Sequence, residues 1–107
     1  MIVVTTETVA GYAITKTLGT VIGNTIRARH LGKDISAGLR SLVGGEITEY
    51  TGMMAESREQ SLQRMLDRAR ELNADAIVGV RFQTSMIMQG SAELLVYGTA
   101  VNLKQNK

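Results

Sequence analysis

Residues 76–103 read AIVGVRFQTSMIMQGSAELLVYGTAVNL, and this stretch decides the fold. Ala76-Ile77-Val78-Gly79-Val80 is apolar on both parities, the pattern of a strand start buried on two sides. The strand pattern continues through Phe82, Thr84, Met86 and Met88, and Gln89-Gly90-Ser91 interrupts it. The next run, Ala92 to Leu103, carries Leu94, Val96 and Ala100 on one face and Leu95, Tyr97, Val101 and Leu103 on the other. Two strand patterns separated by a short glycine turn predict an antiparallel hairpin.

Upstream of the hairpin the period changes from two to 3.6. Ile47, Tyr50, Met54, Ser57, Ser61, Met65, Leu66, Ala69 and Leu72 form one helical stripe, with Leu62 beside it. Glu46 and Glu49 at its start and Arg68 and Arg70 near its end complement the macrodipole. Arg64–Asp67, Asp67–Arg70 and Arg68–Glu71 are spaced as ion pairs on its outer side. Gly52 leaves the start open between Glu46 and Met53, and Asn73 suits a left-handed C-cap. Earlier still, Asp34 as N-cap, then Ile35, Leu39 and Leu42, then Gly44-Gly45, predict a short helix. Ile2 to Arg29 reads as strand, broken at Glu7–Gly11, with a parity change at Gly19 that implies a bulge, a bend or a hairpin.

The order strand, helix, strand, strand defines an α+β fold. It is a β-α-β-β two-layer subunit with an antiparallel or mixed sheet packed on one long helix, in a single domain of residues 1–107. The helix makes a crossover, expected to be right-handed. One long helix covers one sheet face, yet the last two strands are apolar on both. The short 34–43 helix can take part of the second face, and another subunit is the expected cover for the rest. The pattern therefore predicts a homo-oligomer, through sheet-to-sheet packing or edge pairing.

Composition narrows the chemistry. The 107 residues include no Cys, Pro or Trp and a single His. A disulfide framework, a Cys-ligated zinc module, a catalytic thiol and a Cys-held iron–sulfur cluster are excluded within one chain. With aromatics at 4%, the core must be aliphatic and methionine-rich. A net charge of +2 is a weak attraction for polyanions. Met1–Glu7 has no basic n-region, and no stretch approaches the ~20 apolar residues of a membrane span. A soluble cytoplasmic protein without a membrane partner is expected.

Charge is unevenly placed. Residues 27–40 carry Arg27, Arg29, Lys33 and Arg40 against Asp34, a net of +3, whereas residues 46–75 carry seven acids against four Arg. The basic segment is a candidate anion or nucleic-acid site, but a solvated loop and helix face, paired with a neighbour's acidic helix, is the preferred reading. Phe82 and Tyr97 fit the core pattern, so no aromatic platform for RNA is expected. His30 has no His or Cys companion at ligand spacing, but a ring of subunits would bring several copies around one axis. Glu46, Glu49, Glu56 and Glu59 could face one another at helical spacing as a hard-cation site, or form an ordinary charged face. The methionines could ligate a soft metal such as Cu(I), but at this spacing they read as core filler, Met86 and Met88 least so. Gly38–Gly45 lacks the ending of a Walker A loop, and no Ser/His/Asp arrangement is present. No enzyme is predicted.

The whole chain resembles the YbjQ-like family of small bacterial and archaeal proteins. The matching pieces are Thr5-Thr6-Glu7-Thr8-Val9 with Gly11-Tyr12, Gly19, Gly23-Asn24-Thr25, the run from Asp34 to Glu46, Ala74 to Phe82, and Tyr97 to Val101. Ala10 and Asn73 stand where the family often has Pro and Gly. The resemblance implies a dodecin-like subunit assembled into a ring, a pentamer. It also implies metal binding, since the family carries a heavy-metal-binding label; a thiolate set for such a metal is absent. The expected function is a ring-forming binding or scaffold protein that takes a metal ion or small ligand at subunit interfaces. Asn24, Arg27, Arg29, Asp34 and Arg40 are the candidate ligand or anion contacts, and His30, Glu46 and Glu49 the candidate metal contacts. The alternative is anion or nucleic-acid binding through residues 27–40.

Overall fold

The computed structural model describes residues 1–28 and 48–107. It contains β1 (Ile2–Val3), β2 (Tyr12–Ala28), α1 (Thr48–Glu71), β3 (Ala76–Met88) and β4 (Ser91–Gln105). The four strands form one mixed sheet in the order β1-β3-β4-β2. β1 pairs parallel with β3, and β4 runs antiparallel to both β3 and β2. This is the expected α+β arrangement of one long helix and a sheet. The expected 34–43 helix lies outside the described residues.

The helix lies across β2 and β4. Ser57, Ser61, Met65 and Ala69 follow one another at intervals of four and are all buried against the sheet. Beneath them are Val21, Val96 and Ala100, joined by Ile77 and Val80 of β3. The small residues of the helix sit where the sheet comes closest. A Cβ added at Gly23 would run into the carbonyl oxygen of Ser61 and lie 2.6 Å from the Met65 nitrogen. Beside that contact the buried hydroxyls are satisfied. Ser61 Oγ donates to the Leu94 carbonyl at 3.1 Å and lies 3.1 Å from Thr25 Oγ1.

The helix ends as its sequence suggests. Asn73 takes φ of 59°, its N–H bonds the Arg70 carbonyl, and the Ala74 N–H bonds the Ala69 carbonyl, which is a Schellman motif. Asp75 then pins the next strand: its Oδ2 accepts from the Leu103 N–H at 2.9 Å and from Asn102 Nδ2 at 3.2 Å. Of the expected pairs on the outer side, Arg70 meets Asp67 at 3.2 Å, and both are exposed. Arg64 instead donates to the Asn24 carbonyl at 2.6 Å, occupying one acceptor of β2.

The second sheet face has its own small core. Ala76, Val78 and Val101 pack with Ile2, Val4, Val9 and Leu103, so the N-terminal segment covers this end. Further along, the same face exposes Ile22, Ile26 and Tyr97, with Ile26 at 61%. Every residue of β3 from Arg81 to Met88 is exposed, including Phe82 at 47% and Met86 at 81%. This corrects the reading of Phe82 and Tyr97 as core residues, while Met86 and Met88, the methionines that fitted a core least, are exposed. The helix lies over β2 and β4, and the far half of β3 extends past it.

A bulge in β3 sets which residues face where. Val78 is opposite Thr99 but Arg81 is opposite Tyr97, so β3 has one residue more than β4 between these pairs. Gly79 supplies the left-handed backbone there, with φ of 62°. No atom would contact a Cβ at this position, so Gly79→Ala should cost only backbone strain, about 1–2 kcal/mol. Denaturant midpoints with an unchanged slope check this.

Candidate functional site

The bulge reverses the alternation, and so places Val80 in the helix-side core and Arg81 on the second face. β2 bulges twice opposite the same region, between Ile14 and Lys16 and between Thr17 and Gly19. These irregularities surround a cleft of about 430 Å³ on the second face, lined by Glu7, Ile14, Thr17, Val78, Gly79, Arg81, Thr99 and Val101. Bulges commonly re-aim side chains beside functional sites.

The backbone around the cleft is tied down. The Gly79 N–H bonds the Thr6 carbonyl at 2.8 Å, and the Val80 N–H bonds the Val4 carbonyl at 3.1 Å, so the N-terminal segment closes over the bulge. Arg81 Nη1 donates to the Thr5 carbonyl at 2.8 Å and to the Val80 carbonyl at 2.9 Å, which fixes the guanidinium in place. Among the described residues the one ion pair is Arg70 with Asp67, so Glu7 and Arg81 line the cleft without closing on each other. The result is two opposite charges, two hydroxyls from Thr17 and Thr99, and an aliphatic lining of Ile14, Val78 and Val101.

Of the residues singled out in the sequence, Asn24 and Arg27 are described, and they lie outside this cleft. Arg27 is on the helix side: its Nε donates to Ser57 Oγ at 3.2 Å and its Nη2 to Gln60 Oε1 at 2.8 Å. Asn24 pairs with Leu95 on the second face and donates to Glu93 at 3.2 Å. The structure does not bring the two side chains together. Arg29, His30, Asp34, Arg40 and Glu46 lie outside the described residues, and Glu49 is described only as part of the α1 backbone. Phe82 and Tyr97, though exposed, occupy opposite faces, because Phe82 is opposite Val96 and Tyr97 opposite Arg81. They cannot form one stacking platform. Glu7, Thr17, Arg81 and Thr99 were not read as a site from sequence. The available signal was Gly79, an isolated glycine in an apolar strand run, which marks a bulge and a change of parity just before Arg81.

A family model described as "Putative heavy-metal-binding" matches residues 1–104. The chain belongs to this YbjQ-like family. A UPF0145 protein of Methanosarcina acetivorans is 59% identical, over 96% of this chain and 97% of its own length. One of Thermus thermophilus is 56% identical, over 97% of this chain and 91% of its own. A solved structure of a protein with unknown function from Pediococcus pentosaceus matches with a TM-score of 0.70 at 19% identity, over 97% of this chain and 98% of that one. At that identity the match shows a shared fold.

A thiolate site of the kind the family description suggests is absent from one YbjQ-like subunit of this sequence. Heavy metals favour thiolates, and the chain has none. Among the described residues no group of three or more His, Cys, Asp or Glu is placed to hold a metal ion. Among the described residues, too, no helix is long and apolar enough to cross a membrane.

Proposed function

We propose that this YbjQ-like protein is a non-enzymatic, cytoplasmic homo-oligomer, a ring of five subunits, that acts as a binding scaffold for a small ligand or metal ion where subunits meet. The observation that carries this reading is the apolar second face, where Ile22, Ile26 and Tyr97 are exposed beyond the reach of the N-terminal segment. An apolar patch of this kind marks an interface.

A second copy of the chain suits that surface. The +3 of residues 27–40 and the −3 of residues 46–75 are complementary between copies. The two sheet edges are unlike: β2 on one side, and on the other the part of β3 that β1 does not reach. Unlike surfaces in contact are heterologous, and such contacts build a ring where the rotation between copies closes.

Light scattering after size exclusion is expected to give a multiple of the 11.6 kDa subunit mass. Ile22→Lys combined with Ile26→Lys should lower that mass with little change in helix content. A monomer at micromolar concentration overturns the reading. Equilibrium dialysis against Cu, Zn, Ni and Cd separates the two ligand classes. At least one ion per ring supports the metal reading, and less removes it.

A further inference from the structure

We propose that the cleft between β2, the β3 bulge and the N-terminal segment binds a small zwitterion of the amino-acid class. In this assignment Arg81 takes the carboxylate, Glu7 the ammonium, and Ile14, Val78 and Val101 the aliphatic body. The lining is assembled from β2, β3, β4 and the N-terminal segment of one subunit.

Three observations carry the assignment. Arg81 is held by two backbone carbonyls through a single nitrogen, Nη1, so the guanidinium is oriented before a ligand arrives. Such a fork matches a carboxylate, and preorganisation reduces the ordering cost of binding. Glu7 and Arg81 line one cleft yet form no ion pair. A simple acid is repelled by Glu7 and a simple amine by Arg81, whereas a ligand with both charges separated by a short body is attracted by each. Finally, the volume of about 430 Å³ falls within the range of small-molecule sites. Thr17 and Thr99 add hydroxyls that can donate or accept as the ligand's orientation requires.

Calorimetric titration of the full chain with L-leucine tests the proposal, with isocaproate and isoamylamine as the deaminated and decarboxylated counterparts. Saturable binding of leucine is expected, with each counterpart weaker by about tenfold or more. Arg81→Gln and Glu7→Gln should each weaken leucine by a similar factor. Glu7→Gln changes an exposed residue outside the strands, so it keeps the test decisive if Arg81→Gln disturbs the N-terminal segment. The absence of saturation by leucine, equal binding of either counterpart, or unchanged affinity in Glu7→Gln overturns the proposal. The scattering mass of the same samples reports on the ring separately.

Discussion

Gly23→Ala is expected to be the most damaging single-methyl change in the described part of the protein. The added carbon meets the Ser61 carbonyl and the Met65 nitrogen, which are backbone atoms of α1, so no side-chain rotation relieves the clash. The helix must rise off β2. Lifting it also pulls at Ser61 and Thr25, whose hydroxyls are buried and depend on the close approach for their partners. Overpacking into a yielding core costs about 1–3 kcal/mol, and a backbone contact belongs at or above the upper end. A melting temperature lowered by more than about 10 °C, or failure to fold, is the expected result at fixed protein concentration. Gly52→Ala is the matching control. No atom would contact its Cβ, and it lies inside α1, so it should stabilise by up to about 1 kcal/mol. Equal effects of the two substitutions would show that helix and sheet are not docked as described.

Met65→Ala is expected to have the second largest effect. Met65 is fully buried and sits in the cluster that includes Val21, Ala69, Ile77, Val80, Val96 and Ala100. Truncation removes transfer energy and leaves a void, together about 2–5 kcal/mol. The upper half of that range applies if the rigid β2–β4 ladder prevents collapse. Met65→Leu conserves most of the volume and should cost under about 1.5 kcal/mol. A fall in stability for Leu as large as for Ala would mean the site is set by shape rather than by filled volume.

The elements were readable because their signals are local. Asn73 announced a left-handed cap by its type and position, and it has one. The stripe Ser57, Ser61, Met65, Ala69 announced the buried side of α1 even though two of its members are polar. Coverage is not local. Phe82 and Met86 carry a core pattern, but whether a strand is covered depends on where the helix lies across it, and period-two alternation does not report that. The cleft was missed for a related reason. Strict alternation from Ile77 puts Arg81 on the helix side, and only the extra residue at Gly79 turns it to the other face. Glu7 and Thr17 are brought to Arg81 by pairings between distant segments, which spacing along the chain does not encode. Arg27 was a candidate by charge density, which does not distinguish a cation offered to a ligand from one tied to Ser57 and Gln60.

The β2–β4 ladder has a consequence for how the chain is made. Its register runs from Tyr12 opposite Gln105 to Ala28 opposite Ser91, so an early strand has its partner among the last residues described. During synthesis β2 emerges long before β4, and 17 residues rich in Thr, Ile and Val wait without a hydrogen-bonding neighbour. Such pairings carry a large loop-closure cost and form slowly. The sheet therefore closes only after β4 leaves the ribosome, and the interval beforehand is when the unpaired strand is most exposed to aggregation.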